Sequence, residues 1–313
     1  MKKRAISSLL AVLAVVSFTL PALATETVEN DVRILAEPVA MPSVEPTAEP
    51  EPDHFVILNG VPQPLEYEVR KGTTYVTVSS FVSMVDPQAT VEEADGVVTV
   101  SSARTEQAAD AGETIESVVL ETLDMTVSTE LPYIAVNGRC IYVKGGITTV
   151  NGQAAAPIRK LAQLFNLDVG YDSAANKVVL THVEGSSAYI QPGDSYYDAD
   201  TLYWLSHIIN AESGNQPLEG MIAVGNVVMN RVNDPQFPNT VYDVLHQKNQ
   251  FSPVANGTIK KTPNDESVTA AKLVMEGVQI VPTALFFNAK NLSSYASRNR
   301  PYVTTIGAHA FYA

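Results

Sequence analysis

Hydrophobic residues between Phe55 and His182 fall in short runs that are separated by turn-forming pairs. The runs are rich in Val, Ile, Thr and Tyr, and the pairs are Asn-Gly, Lys-Gly and Asp-Gly. This pattern is typical of β-hairpins, because these pairs adopt the positive φ angles of tight hairpin turns. The stretches predicted as strands are FVILNG, TTYVTV, GVVTV, YIAVNG, CIYVKGG and KVVLTH.

The β-rich region also repeats one order of features. ILNG, TTYVTVSSFVSMVD and DGVVTVSS correspond to AVNG, GQAAAPIRKLAQLFN and ANKVVLTH. Each half is predicted to run from an Asn-Gly hairpin through a strand and a short helix, at 78–85 or 157–165, to a closing hairpin. The correspondence indicates an internal duplication.

The spacing of apolar residues becomes helical after a polar, turn-forming stretch that ends at residue 193. A helix is predicted over 200–213, with Asp198 or Asp200 as its N-cap and an apolar face formed by Leu202, Leu205, Ile208 and Ile209. A second helix begins at Pro217, and its Gly225 is expected to allow close helix packing. The predicted fold class is α+β, with a β-rich accessory region at 54–185 and a mainly helical domain at 194–313.

The first residues predict export. Three basic residues at 2–4 precede an apolar run from Leu9 to Leu20 and the small-residue pattern Ala22-Leu23-Ala24, as in a secretory signal peptide at 1–24. The run is shorter than the roughly 20 apolar residues of a membrane-spanning helix, although an uncleaved anchor is the alternative. We expect a secreted, extracellular or wall-associated protein without a transmembrane segment, in which residues 25–53 form a disordered acidic Pro/Glu linker.

Charge and cysteine content exclude several classes of partner and site. The formal net charge is −14, and the acidity argues against nucleic acid as a partner. The acidic excess belongs to the front of the chain, since residues 194–313 hold ten acidic and eight basic residues. Cys140 is the single cysteine, so no intramolecular disulfide can form. The histidines are few and widely separated, and neither a metal nor another cofactor is expected.

Glu212 is the main candidate for chemistry in the helical domain. It follows Ile208 by four residues and Leu205 by seven, so a helix would place it on the inward face. Burial raises the pKa of a carboxyl group, and a glutamic acid that keeps its proton near neutral pH can protonate a glycosidic oxygen. Gly214 and Asn215 then end the helix at an accessible loop. From the pattern alone, an ordinary exposed last-turn acid is an equal alternative.

Residues 200–313 resemble the SleB-type, or spore-cortex-lytic, cell wall hydrolases. The matching motifs are Ala211-Glu212, Glu219-Gly220, Ala223-Val224, Asn230-Arg231, Phe237-Pro238-Asn239-Thr240, Gln250-Phe251-Ser252, Phe287-Asn288, and Ile306-Gly307 with His309. Within the β-rich region, residues 151–180 resemble the copper amine oxidase N-terminal-like domain. That module is an accessory domain common on secreted proteins of Gram-positive bacteria, and its name implies no copper here.

The resemblance implies a lysozyme-like fold and a lytic transglycosylase acting on peptidoglycan glycan strands. The family's catalytic glutamate corresponds to Glu212, which would protonate the oxygen of the β-1,4 bond between N-acetylmuramic acid (MurNAc) and N-acetylglucosamine (GlcNAc). As a carboxylate it would then activate the muramic acid 6-hydroxyl and yield a 1,6-anhydro end. Gln216 stands where members often have a second acid, and Gly214 lies near the place of a familiar arginine.

Further residues in the matching motifs are candidates for substrate binding, namely Gln250, Phe251, Ser252, Phe287, Asn288 and His309. Their polar side chains can hydrogen-bond acetamido groups, and Phe251 can pack on a sugar face. Structural alternatives are a loop anchored by Phe251, a turn closed by Asn288 and a structural hydrogen bond at His309.

Other residues in the helical domain are expected to be structural. Asn230 and Arg231 are assigned a structural role more readily than a catalytic one. Packing is preferred to a carbohydrate platform for the aromatic residues Tyr196, Tyr197 and Trp204.

Two other functions fit parts of the sequence. An N-acetylmuramoyl-L-alanine amidase would cut between muramic acid and the stem peptide, but the zinc ligands of such a site are not apparent. The third possibility is a non-catalytic wall-binding protein, which the presence of Glu212 disfavours. Spore cortex and vegetative wall are both open as substrates, as are anhydro and reducing products, and the accessory region is expected to contact the wall or another protein.

Overall fold

The computed structural model describes residues 54–107 and 117–313. The predicted signal peptide at 1–24 and linker at 25–53 lie outside the described residues. Residues 51–313 cluster as one compact unit, so the boundary between the β-rich region and the helical domain stays a prediction. Within the described residues, no helix has the length and apolar character needed to cross a membrane.

The β-rich region contains the predicted strands and both predicted helices. Its elements in chain order are β1 (Phe55–Leu58), β2 (Val61–Pro64), β3 (Tyr67–Arg70), β4 (Thr73–Thr77), α1 (Val78–Val85), β5 (Thr90–Ala94), β6 (Val97–Gln107), β7 (Ser117–Ser128), β8 (Tyr133–Val136), β9 (Arg139–Tyr142), β10 (Thr148–Val150), β11 (Gln153–Pro157), α2 (Ile158–Leu164), β12 (Leu167–Asp172) and β13 (Lys177–His182).

These strands form three sheets, with the orders β12-β13-β1-β2, β10-β11-β4-β3 and β5-β6-β7-β8-β9. The strand pairs are antiparallel except β1 and β13, which run parallel. The Asn-Gly turns are formed as predicted, since Asn59 and Gly60 have φ angles of 51° and 82°, and Asn137 and Gly138 have 46° and 77°. Local turn chemistry therefore fixes the hairpins.

The stretch between the two regions is packed rather than free. Tyr189 is buried, and its hydroxyl donates to the carboxylate of Asp86 at 2.6 Å. Ile190 is buried as well and donates its backbone N–H to Leu164. A stretch that is mostly polar and turn-forming in sequence is thus held by a few side chains that enter the core of the β-rich region.

The helical region begins at residue 193 and carries a small antiparallel sheet of order β14-β16-β15. Its elements are α3 (Gly193–Tyr196), α4 (Ala199–Ser213), α5 (Leu218–Asn233), α6 (Val241–His246), α7 (Ser252–Asn256), a 3₁₀ turn (Thr258–Lys260), α8 (Asp265–Met275), β14 (Phe286–Ala289), α9 (Tyr295–Asn299), β15 (Tyr302–Ile306) and β16 (His309–Tyr312).

The helices α4, α5 and α8 pack around one core. Asp198 is the N-cap of α4 and accepts a hydrogen bond from the backbone of Thr201, which decides between the two predicted caps. The prediction for Gly225 is confirmed, because a Cβ there would lie 2.8 Å from Val274 and 2.9 Å from Ile209. The glycine therefore lets Ile209 of α4 and Val274 of α8 pack closely against the middle of α5.

The β-rich and helical regions share a buried contact, here called the junction, formed by Arg139, Cys140, Tyr197 and Glu276. Arg139 donates from Nε and Nη2 to the two carboxylate oxygens of Glu276, each at 2.8 Å, and the Tyr197 hydroxyl donates to the same carboxylate at 2.8 Å. Cys140 belongs to the core of the helical region. Burial works to lower the pKa of Arg139, but Glu276 outweighs it and the pKa is raised.

Candidate active site

Glu212 lies in the last turn of α4 and is partly buried, as its spacing predicts. Its carboxyl group has neither a hydrogen bond nor an ion pair with any residue that the structure describes. Burial is the cause that raises the pKa of Glu212 above its ordinary value. A carboxyl group in this state holds its proton to higher pH than an exposed glutamate, which suits a general acid.

Glu212 faces a cleft of about 510 Å³. The structure brings all of the predicted site residues to this cleft, together with Arg231; the predicted ones are Glu212, Gln250, Phe251, Ser252, Phe287, Asn288 and His309. They come from α4, from the start of α7 and from β14 and β16, so segments far apart in sequence meet in one place. Among the described residues that line the cleft, Glu212 is the only acid.

His309 at the start of β16 contributes an imidazole to the cleft. Its Nδ1 atom is buried without a hydrogen-bond partner among the described residues, and its ring meets the edge of Phe287 at a centroid distance of 5.3 Å. Burial lowers the pKa of His309, which favours the neutral form of the ring. The structural hydrogen bond considered for this residue is therefore not made through Nδ1.

Arg231 also lines the cleft, although the sequence favours a structural role for it. Part of that assignment holds, because its Nε donates to the carbonyl oxygen of Leu285 at 2.7 Å and its Nη1 donates to Oε1 of Gln250 at 3.1 Å. It is only 5% exposed, and burial lowers its pKa to about 10. The sequence contains a signal for a special environment, because an arginine beside the apolar face of α5 needs polar partners that compensate its buried charge.

Phe251 and Asn288 match their structural alternatives more closely than direct binding. The Phe251 ring is 5% exposed and belongs to the core, so it offers little area to a sugar. The Asn288 amide donates to the carbonyl oxygens of Ala289 and Leu292, and its Oδ1 accepts from Ser294. Their contributions to substrate binding stay predictions.

Gln216 has a structural function that the sequence did not reveal. Its Oε1 accepts a hydrogen bond from the backbone N–H of Ala308 at 2.8 Å, in the turn between β15 and β16. The turn leads directly to His309, so Gln216 ties the start of α5 to the strand that carries the imidazole. Glu219 is exposed on α5 and does not line the cleft.

Within residues 54–107 and 117–313, no group of three or more His, Cys, Asp or Glu side chains is arranged to hold a metal ion.

Comparisons with known proteins agree with the resemblance of the C-terminal part of the chain to cell wall hydrolases. The family model described as Cell Wall Hydrolase matches residues 215–312. The chain is 30% identical over 174 residues to a spore cortex-lytic enzyme of Bacillus cereus, covering 52% of this chain and 66% of that protein. It is 33% identical over 108 residues to the Bacillus subtilis spore cortex-lytic enzyme, covering 34% of this chain and 35% of the relative.

Among solved structures, the chain is similar to the catalytic domain of the germination-specific lytic transglycosylase SleB from Bacillus anthracis. The two are 30% identical, with a TM-score of 0.36, and the match covers 40% of this chain and 100% of that domain. The chain thus spans just under two thirds of the Bacillus cereus enzyme. The C-terminal part of the chain is similar to cell wall hydrolases over residues 215–312, and its relatives include spore cortex-lytic enzymes.

Proposed function

We propose that the protein is a peptidoglycan lytic transglycosylase that cleaves the MurNAc–GlcNAc β-1,4 bond with Glu212 as its single acid and base. The observation that carries this proposal is the state of Glu212: it is desolvated, it has no partner among the described residues, and no other described acid lines its cleft. The names of its relatives, spore cortex-lytic enzyme and lytic transglycosylase, support the same activity.

The first step uses the protonated form of Glu212. Its carboxylic acid gives a proton to the glycosidic oxygen while the bond from that oxygen to C1 of the muramic acid breaks, and the GlcNAc leaves with a free 4-hydroxyl. Positive charge then develops on the muramic acid ring, next to a newly formed carboxylate. The raised pKa of Glu212 favours this step, because an ordinary glutamate is ionised at neutral pH.

The second step returns the proton. The Glu212 carboxylate takes it from the 6-hydroxyl of the same muramic acid, whose oxygen bonds to C1 and closes a 1,6-anhydro ring. No water is consumed, and the enzyme ends in its starting state. A hydrolytic outcome would be aided by a second carboxylate that positions water, and the described cleft residues include none.

The β-rich region is proposed to be a duplicated accessory module of the copper amine oxidase N-terminal-like type. Support comes from its element order, since two hairpins, a helix and a further hairpin occur at 55–107 and again at 133–182. The sheets support it as well, because β4 of the first half pairs with β11 of the second, and each strand leads directly into the helix of its half. We propose that this module contacts the cell wall.

The proposal also includes the location of the protein and the fold of its helical region. We infer that the chain is exported by the signal peptide at 1–24 and acts in or near the wall, where its substrate is. The helical region would have a lysozyme-like fold. Both vegetative and cortex peptidoglycan are candidate substrates, and the names of the relatives favour cortex.

The test is mass spectrometry of the soluble fragments released from purified vegetative and cortex peptidoglycan. We expect the parent protein to release anhydro-muropeptides, and Glu212→Gln to lower the rate by roughly 10³-fold, within the range for loss of a general acid–base. Glu219→Gln is the matched control, because Glu219 is exposed and outside the cleft.

Each other outcome contradicts a defined part of the proposal. Reducing ends that carry water would replace the transglycosylase by a hydrolase, and released stem peptides would favour an amidase. Equal release by the Glu212→Gln variant would remove Glu212 from the chemistry. No release from either wall by a folded parent protein would favour a wall-binding function.

A further inference from the structure

A second cavity, of about 420 Å³, lies beside the first half of α4. Its lining comes from the start of α4, the end of α5 and the start of α6, and includes Asp200, Trp204, Asn239 and Tyr242. None of these residues lines the cleft at Glu212. It is therefore a separate feature of the helical region.

The cavity combines aromatic rings with polar groups that the protein does not use. Trp204 and Tyr242 lie edge to face, with ring centroids 5.2 Å apart, and Met229 and Val232 add apolar surface. No described residue forms a hydrogen bond with the carboxylate of Asp200, the side-chain amide of Asn239, the indole N–H of Trp204 or the hydroxyl of Tyr242. Such a lining, part aromatic and part polar, suits a ligand with both apolar faces and hydroxyl or amide groups.

The charge of the lining residues restricts the kind of ligand that the cavity can bind. Asp198 and Asp200 line the cavity, and the described lining residues include no Lys or Arg. An anionic ligand is therefore disfavoured, whereas carboxylates and amides accept hydrogen bonds from neutral hydroxyl and acetamido groups. Asp198 is engaged as the N-cap of α4, which leaves Asp200 as the available carboxylate.

The two cavities are close enough for one polymer to reach both. Trp204 and Glu212 are on the same helix, eight residues apart, which corresponds to about 12 Å along the helix axis. Both cavities are also lined by α5, through Met229 and Val232 in one and Arg231 in the other. A glycan strand that passes Glu212 spans such a distance within a few sugar units.

We propose that this cavity is a second glycan-binding site, in which Trp204 and Tyr242 pack against an N-acetylated sugar of the strand being cleaved at Glu212. The inference rests on the proposed function for the identity of the strand. Packing was the expectation for Trp204 from sequence, and its ring contacts with Tyr203, Tyr242 and His246 agree with that. Lining a cavity adds a second function to the same side chain.

The test uses the fact that Trp204 is the only tryptophan in the chain. The Glu212→Gln variant, which blocks turnover, is titrated with two uncharged glycans, the GlcNAc tetramer and the GlcNAc hexamer, while tryptophan emission is recorded. We expect a saturable change in emission with both. Tyr242→Ala in the same background should weaken the affinity by roughly fivefold or more. Tyr242 is 48% exposed, so its truncation is compatible with folding.

Tyr302→Ala is the matched control, because Tyr302 is 62% exposed on β15 and outside both cavities. Its affinity should equal that of the parent variant. The inference is overturned if emission does not change with either glycan, if Tyr242→Ala and Tyr302→Ala behave alike, or if only an amine-bearing stem peptide changes the emission. If emission does not change but Glu212-dependent cleavage is observed, the second glycan-binding site is wrong and the proposed function stands. If the glycans change the emission but no Glu212-dependent cleavage is observed, the binding site stands and the proposed function is wrong.

Discussion

The junction and the cleft each contain a buried arginine and a glutamate, but the two pairs are arranged in opposite ways. Arg139 and Arg231 are both 5% exposed. At the junction, Arg139 is bound through two hydrogen bonds to Glu276. In the cleft, neither Arg231 nor Glu212 forms an ion pair with any residue in the described part of the chain.

The pKa shifts follow this difference. At the junction the acid overcomes the effect of burial and the pKa of Arg139 is raised. In the cleft burial acts alone, so the pKa of Glu212 is raised and that of Arg231 is lowered to about 10. The carboxylate of Glu276 is held in an ion pair at the junction, whereas the carboxyl group of Glu212 has no partner among the described residues and faces the cleft.

The largest expected effect is at the junction. Glu276→Ala leaves Arg139 buried without its acid, and loss of one partner of a buried pair costs about 3–5 kcal/mol in the free energy of unfolding. Urea unfolding followed by circular dichroism measures it. Glu266→Ala is the control, because this glutamate is exposed in the first turn of α8, the helix whose C-cap is Glu276. If the two variants lose equal amounts of unfolding free energy, the Arg139–Glu276 pair stabilises the protein no more than an exposed glutamate does.

A smaller loss of stability is expected in the cleft. Arg231→Met leaves no acid unpaired and removes hydrogen bonds to Leu285 and Gln250, so the cost should be about 1–3 kcal/mol. Fragment release from peptidoglycan should nevertheless fall by roughly tenfold or more. Arg139→Met should give the opposite pattern, with the larger loss of stability and activity preserved at temperatures where it is folded. A stable, fully active Arg231→Met protein would contradict the comparison.

The smallest expected effect is a gain in stability when Glu212 is replaced by glutamine. Burial raises the folded-state pKa of Glu212 above the value of about 4.3 that a glutamate has in an unfolded chain. The contribution of Glu212 to stability is therefore full below pH of about 4 and is lost as the pH rises through the folded-state pKa. Glu212→Gln should be more stable than the parent at pH 7, and the difference should close towards pH 4.

Thermal unfolding at a series of pH values measures this difference. Glu219→Gln, an exposed substitution of the same kind, should show no such pH dependence. If Glu212→Gln is less stable than the parent at pH 7, the carboxyl group has a favourable interaction in the folded protein and the cleft is not the opposite of the junction.

Features set by neighbouring residues could be predicted from the sequence. The Asn-Gly hairpins, the helices at 78–85 and 200–213 and the inward face of Glu212 all follow from turn chemistry and periodicity. These features need no knowledge of distant partners. The meeting of the predicted site residues in one cleft could be anticipated from the family resemblance and not from spacing.

Features that depend on long-range contacts could not be predicted. Strand β1 pairs with β13, joining Ile57 to Val179, and many apolar strands would have suited its hydrophobic pattern equally well. The same is true of the junction, where Arg139 binds Glu276, a residue 137 positions further along the chain. The sequence favours a structural role for Arg231 because buried polar side chains are usually hydrogen-bonded within the protein. Its place in the cleft depends on the distant loop at Gln250.

The position of Cys140 has a consequence for dividing the protein into parts. Its side chain fills the core of the helical region although it belongs to the β8–β9 hairpin, and Tyr133 and Tyr142 of the same hairpin pack against that core. A shortened protein that starts at residue 194 would have an open hydrophobic wall where the hairpin had been. We therefore expect the smallest stable fragment to be longer than the matched segment 215–312 and to include this hairpin. Exchanging the β-rich region would require a replacement hairpin with the same shape.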